Sequence, residues 1–137
     1  YRASENGHSV KKFHQSCDGK KNTLTIAKIE QDEIVGGFNP LEWKSKKEAL
    51  KDPNLQSFIF SLTRNEKFLL KGKESVAIYN DIKSGPSFGS KDLSICDEAD
   101  KKKESKCSIL HSYESTRNRE HRLTKQTEFL VKEWEVF

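Results

Sequence analysis

The sequence predicts a mainly β domain built as an antiparallel sandwich, and three observations carry that reading. Short apolar and β-branched runs alternate with polar residues, turn signals recur roughly every ten residues, and only one segment has a helical period. No strand–helix–strand series is present to suggest a parallel sheet, and no fixed period suggests a solenoid or propeller. The 137 residues suit a single domain spanning 1–137. Charged residues make up 34% of the chain and apolar ones 33%. Even so, Leu, Ile, Val and Phe stay above the one-fifth share that marks disorder, and the net charge of +4 is small. The expectation is a folded chain with long solvated loops.

Taken in order, Tyr1-Arg2-Ala3 reads as the tail of a strand. Ser9 then caps a helix from Val10 to Cys17, with Val10, Phe13, His14 and Cys17 on one face, and Asp18-Gly19 ends it. Thr23–Ile29 is a strand with Leu24 and Ile26 on one face and Thr23 and Thr25 on the other. Gln31-Asp32 turns the chain into a partner strand, Ile34–Phe38, where Gly36 and Gly37 predict a bulge or a close backbone approach. Asn39-Pro40 stops it. Lys44 to Asn54 reads as a polar connection or short helix.

Ser57–Leu62 is the cleanest strand, with Phe58, Phe60 and Leu62 alternating against Ser57, Ile59 and Ser61. Phe68–Leu70 and Val76–Tyr79 read as a hairpin around Lys71-Gly72-Lys73. Asp92–Cys96 alternates again, while Asp97 to Lys106 and Thr116 to Gln126 are charge-rich loops. Phe129–Phe137 is apolar on both faces, which predicts a doubly buried strand or one containing a bulge. Trp43 and Trp134 read as core anchors.

The 25 basic residues are interleaved with 21 acidic ones, as in Arg117-Asn118-Arg119-Glu120, and lack the one-sided surface that nucleic acid requires. No stretch is apolar enough to insert in a membrane, and the first residues lack the apolar centre of a signal peptide. Three cysteines and no Asn-x-Ser/Thr acceptor predict a cytoplasmic location. The chain starts at Tyr1 and contains no Met, which predicts a segment of a longer protein.

Several patterns invite chemistry. Gly85-Pro86-Ser87-Phe88-Gly89 matches the G-x-S-x-G elbow, in which a strand turns sharply into a helix and exposes the serine to a histidine. Here a strand pattern follows, and none of His8, His14, His111 and His121 is singled out by chain order. The segment is therefore read as a tight turn between strands, with Phe88 in the core. His14-x-x-Cys17 and Cys107-x-x-x-His111 resemble a split zinc set, but three residues on a helix barely aim two side chains at one metal, so no metal or cofactor is expected. Lys71-Gly72-Lys73-Glu74-Ser75 is too short for a P-loop. Glu42, Glu114, Glu133 and Glu135 belong to a solvated face or a partner-binding surface. Two enzyme readings stand as alternatives: a hydrolase using Ser87, and a thiol peroxide scavenger, for which Cys107 among its lysines is favoured over Cys17 and Cys96.

Eight blocks in order resemble the TLDc domain. They are Tyr1–Ser4; Phe13-His14-x-x-Cys17-Asp18; Gly36-Gly37-Phe38-Asn39-Pro40-Leu41-Glu42-Trp43; Ser57–Leu62, holding Phe58 and Phe60; Ala77–Asn80; Gly85-Pro86-Ser87-Phe88-Gly89 with Asp92-Leu93; His111-Ser112-Tyr113-Glu114; and Trp134-Glu135-Val136-Phe137. Thr116 to Gln126 departs from the family's usual Gly- and Phe-containing connection. The resemblance implies an α+β, mainly β fold, a two-sheet antiparallel β-sandwich flanked by a few helices, whose first helix and strand would precede Tyr1. It assigns no catalytic, metal or cofactor-binding residue, and its motif residues are mainly structural. It implies a non-catalytic protein-interaction domain, as in TLDc proteins that bind the vacuolar-type proton pump and protect against oxidative stress. The alternative it implies is a BTB-linked ubiquitin-ligase adaptor module.

Overall fold

A computed structural model describes residues 1–107, 110–117 and 122–137. Two helices, α1 (Ala3–Asn6) and α2 (Val10–Cys17), lead into the strands. The Ser9 hydroxyl accepts from the Lys12 amide, and Val10, Phe13, His14 and Cys17 are all buried, as the helical spacing predicts. Tyr1-Arg2 is strand-like only in part: Arg2 bridges Glu135, and Ala3 then enters α1.

The first sheet has the order β10-β5-β4-β2-β1-β12. Its members are β1 (Thr23–Ile29), β2 (Ile34–Asn39), β4 (Phe58–Ser61), β5 (Glu66–Leu70), β10 (Tyr113–Ser115) and β12 (Val131–Val136). The second runs β11-β9-β8-β7-β6-β3, from β3 (Glu48–Lys51), β6 (Val76–Asn80), β7 (Ser87–Phe88), β8 (Leu93–Ser94), β9 (Ser105–Lys106) and β11 (Glu128–Phe129). Every pairing between these strands is antiparallel.

Three elements differ from their sequence reading. Within the polar stretch from Lys44 to Asn54 lies β3, an edge strand whose lysine-rich surroundings hide its β character and discourage edge-to-edge pairing. Lys71-Gly72-Lys73 makes no hairpin, because β5 and β6 belong to different sheets and the turn carries the chain between them. The doubly apolar run at the end is likewise split: β11 lies in the second sheet, and the chain crosses at Leu130 to enter β12 in the first. A register shift at Lys28/Ile29 accompanies the crossing, so Phe129, Val131, Trp134 and Val136 are all buried. Local sequence shows alternation but not which sheet a residue serves.

At the centre of the first sheet the inward face carries small or polar residues beside Val35 and Ile59, while Phe68, Tyr113 and Trp134 fill it toward the edges. Thr25 sits opposite both Val136 and Gly37, and Gly37 sits opposite Ile59. Thr23, Ala27, Ser57 and Ser61 are buried beside them. The small residues leave room for bulky rings from elsewhere, which interdigitate as close packing demands. Rings pack edge-on or tilted from Tyr1 to Trp134, then Phe13, Trp43 and Phe88, with successive centroids 4.5, 5.7, 5.6 and 5.7 Å apart. The last ring lies on Gly37, where an added Cβ would stand 2.6 Å from Phe88 carbons. The two glycines thus mark a close approach and not a bulge, since the β1–β2 register is unbroken.

Because Phe88 is fully buried and cannot withdraw, Gly37→Ala should destabilise the domain by about 1–3 kcal/mol in urea titrations, the usual range for overpacking. Combining it with Phe88→Leu should recover part of that loss, giving a non-additive double-mutant cycle.

Candidate functional site

The opposite face of the first sheet is apolar and open. Leu24 pairs with Phe38, Phe38 with Phe58, and Phe58 with Leu69. Phe137 extends the row through mutual backbone hydrogen bonds with Leu24. The result is an apolar stripe across β12's end, β1, β2, β4 and β5, with Ile26 and Phe60 in the next row. Phe137, Leu62 and Leu69 are 61, 59 and 41% exposed. The Phe38 and Phe58 rings stack at 5.6 Å, and the Lys67 ammonium stands 4.1 Å over the Phe58 ring. Contiguous apolar patches on a soluble surface mark interaction sites.

Two hollows open on this face. One, of about 240 Å³, is lined by Ile26, Lys28, Ile34, Glu133, Glu135 and Phe137. The other, of about 340 Å³, includes Phe58, Phe60, Leu62, Lys67 and Arg117. The alternation in Ser57–Leu62 was legible, but which face turns inward was not. The face with the larger side chains is the outer one, because the inner side is already filled by Phe88 and the tryptophans. Leu24, Leu62 and Leu69 were therefore missed as surface residues.

The Gly85–Gly89 block takes a different shape from a turn. Ser87 and Phe88 form β7, Gly85 donates to the Ile95 carbonyl, and the Ile95 amide donates to Pro86. The turn comes after it, at Gly89 and Lys91, both in the left-handed region. Ser87 is 2% exposed and pairs with Ser94 in the sheet, unlike the exposed hydroxyl of a nucleophile elbow.

Asp92 anchors this block to β10. Its Oδ2 accepts from the backbone amides of Ser112 and Tyr113 at 2.8 and 2.9 Å. Burial nevertheless raises the carboxyl above its ordinary range, outweighing those donors. Gly89 must stay glycine here, because a Cβ would stand 2.5 Å from Asp92 Oδ1. Tyr113, in the first sheet, donates its hydroxyl to Ala77 of the second at 2.7 Å, and burial pushes the phenol up.

The remaining motif residues divide between core and surface. Asn39 Oδ1 accepts from the Leu41 amide, making a turn that leads past Pro40. The Trp43 indole donates to Thr23 Oγ1 at 2.8 Å, deep in the core. Glu114 sits opposite Leu69 at the margin of the apolar face. Glu135 lies on that face too, 2.7 Å from the Arg2 guanidinium. Both ring nitrogens of His14 are occupied: Nδ1 faces Asp18 at 2.7 Å, and Nε2 faces the carbonyls of Asp81 and Ser84 at 2.9 Å. Among the described residues no group of three or more His, Cys, Asp and Glu side chains is placed to hold a metal. His121 lies outside the described residues.

Cys107 is not the exposed thiol its lysine neighbours suggest. It is buried, and burial pushes both it and Cys17 up to about 11, the reverse of what a reactive thiolate needs. Cys96 is the half-buried one, opening on a cleft of about 330 Å³ with Lys83, Lys91, Lys103 and Lys106 in its walls. None of the three cysteines forms a disulfide. Among the described residues no helix is long and apolar enough to cross a membrane.

A family model described as the TLDc domain matches residues 1–137. The chain belongs to this family. Comparison with curated proteins gives no match. The eight blocks that carry the TLDc resemblance serve mainly the sheet-to-sheet contact. Gly37, Trp43 and Phe88 pack it, and Asp92 with Tyr113 ties the second sheet's turn to the first sheet's edge. Phe58 and Phe60 are the exceptions, since they furnish the open face of the TLDc domain.

Asp92→Ala should cost about 2–4 kcal/mol in chemical denaturation, because two buried amides lose their acceptor, whereas Asp92→Asn keeps one oxygen for them. The raised carboxyl binds its proton more tightly folded than unfolded. Its stability contribution is therefore full at acid pH and lost as pH rises through the folded value. Relative to Asp92→Asn, the unaltered chain should weaken as pH climbs above the ordinary carboxylate range. For the cysteines, a maleimide should modify Cys96 in the native chain, and Cys17 and Cys107 only after denaturation; rapid native labelling of Cys107 would contradict its burial.

Proposed function

We propose that this TLDc domain is a non-catalytic protein-interaction domain. It acts in the cytoplasm, in the manner of TLDc proteins that bind the vacuolar-type proton pump and protect against oxidative stress. The observation that supports this reading is the apolar stripe from Phe137 through Leu24, Phe38 and Phe58 to Leu69, left open on the outer face of a sheet whose inner strands are paired on both sides. Cross-strand ring pairs there add only modestly to the sandwich's own stability; a partner would bury the rings further. The burial of Ser87 and the raised thiols of Cys17 and Cys107 agree with a role that needs no nucleophile. Three cysteines without a disulfide suit the reducing cytoplasm.

The chain should capture the peripheral subunits of the vacuolar-type proton pump in a pull-down. Replacing Leu62 and Leu69 together by Ser should weaken that capture about ten-fold or more, as hot-spot loss does. Both side chains are exposed, so the thermal midpoint should barely move. Absence of capture by the unaltered chain would refute the pump reading, and a fluorophosphonate adduct at Ser87 would refute the non-catalytic one.

A further inference from the structure

We infer that Cys96 is a site of reversible S-thiolation, taking the anionic tripeptide half of a disulfide of the glutathione class into the cleft beside it. The inference is independent of the protein-interaction reading, because this cleft belongs to the second sheet, with Ser94 of β8, Lys106 of β9 and Glu128 of β11 in its walls.

Access singles out this thiol. Cys17 and Cys107 are buried and their thiols are pushed up to about 11, whereas Cys96 is half-buried and lines the open cleft. Its sulfur is also held in place. The hydroxyl of the fully buried Ser105 accepts from the Cys96 amide at 3.1 Å and donates to Cys96 Sγ at 3.4 Å. The thiol itself donates to the Lys102 carbonyl at 3.6 Å. When the thiol ionises, that carbonyl contact is lost and the Ser105 donor meets a negative sulfur, which strengthens its bond. The exchange then balances. Cys96 gives its proton to water, and the thiolate attacks one sulfur of the disulfide. A new S–S bond forms as the old one breaks, and the other half leaves as a thiolate that regains a proton. The protein thiol is oxidised to a mixed disulfide, one half of the reagent is reduced to a thiol, and a second free thiol reverses the step.

Room and charge choose the adduct. The cleft holds about 330 Å³, at the lower end of the range of small-molecule sites. Its walls carry Lys83, Lys91, Lys103 and Lys106 against Glu104 and Glu128, twice as many cations as carboxylates. Contacts within the domain reduce this excess without cancelling it. Lys106 stands 3.9 Å from Glu128, and Lys103 pairs at 2.9 Å with Glu30, which lies outside the lining. With Glu30 counted, four ammonium groups still face three carboxylates. A glutathionyl group carries two carboxylates and one ammonium, so lysines and glutamates both find partners on it. An anionic disulfide is repelled by a bare thiolate, and the surrounding lysines offset that repulsion and raise its local concentration. A cationic disulfide is drawn to a bare thiolate and meets the opposing field here.

Three disulfides of different charge test this on the native 137-residue chain: glutathione disulfide, neutral hydroxyethyl disulfide and cationic cystamine. Peptide mapping by mass spectrometry gives the rate at each cysteine, and each rate is divided by that of the same reagent with N-acetylcysteine amide, a neutral model thiol. At low salt Cys96 should prefer glutathione disulfide over cystamine by about ten-fold or more on this scale, with the neutral reagent between them. Added salt should shrink the ratio toward one, as it screens charges on exposed lysines. The double variant Lys83→Glu, Lys103→Glu should invert the preference; both side chains are exposed, and circular dichroism checks the fold. Equal normalised rates, a faster reaction with cystamine, a preference that survives the charge reversal, or modification centred on Cys17 or Cys107 would each overturn the inference. The salt series on the unaltered chain decides the matter even where the double variant fails to fold. Pump capture is measured separately, so its success or failure leaves this result untouched.

Discussion

The contact on which the domain depends is the Phe88 ring lying against the bare backbone of Gly37. Phe88 comes from the second sheet and Gly37 from the centre of the first, so their approach sets the distance between the layers. Trp43 rests edge-on against the same ring, and Phe13 and Trp134 continue the stack toward Tyr1. Any side chain on Gly37 would push at a fully buried ring. Around this point lie the ties that do not rely on apolar contact: the Trp43 indole on Thr23, the Tyr113 hydroxyl on Ala77, and Asp92 on two β10-side amides.

The same contact explains the open face. Bulky rings arrive from α2, β7 and the segment after β2, and the centre of the first sheet meets them with Thr25, Gly37 and Ser61. Those strands still need β-forming residues, and on β1, β2 and β4 the larger ones turn outward: Leu24, Ile26, Phe38, Phe58 and Phe60. The interior packing and the candidate binding surface are two sides of one constraint.

Much of the fold was legible in residue patterns. The 3.6-residue spacing of Val10, Phe13, His14 and Cys17, with Ser9 before it, specified a capped helix. β1 and β2 followed from β-branched alternation and from Asn39-Pro40 as a stop. Less could be read where a strand is short or polar. β3 is an edge strand among lysines, and Ser87-Phe88 is a two-residue strand that resembled a turn because its glycines and proline flank it. The burial of Cys107 is not legible from its lysine neighbours, because residues distant in sequence, Thr124 and Asp92 among them, surround the thiol.

The sequence alone determined the class of the domain, its helix, its alternating strands and its membership of the TLDc family, because these rest on local periodicity and on ordered blocks along the chain. Only the tertiary structure decided which sheet each strand joins and which of its two faces is buried. Alternation of period two is symmetric: Phe58-Ile59-Phe60-Ser61 fits a core with the phenylalanines inward as well as outward. The choice was made by volume, once Phe88 and the two tryptophans had filled the space that Gly37, Thr25 and Ser61 leave between the sheets.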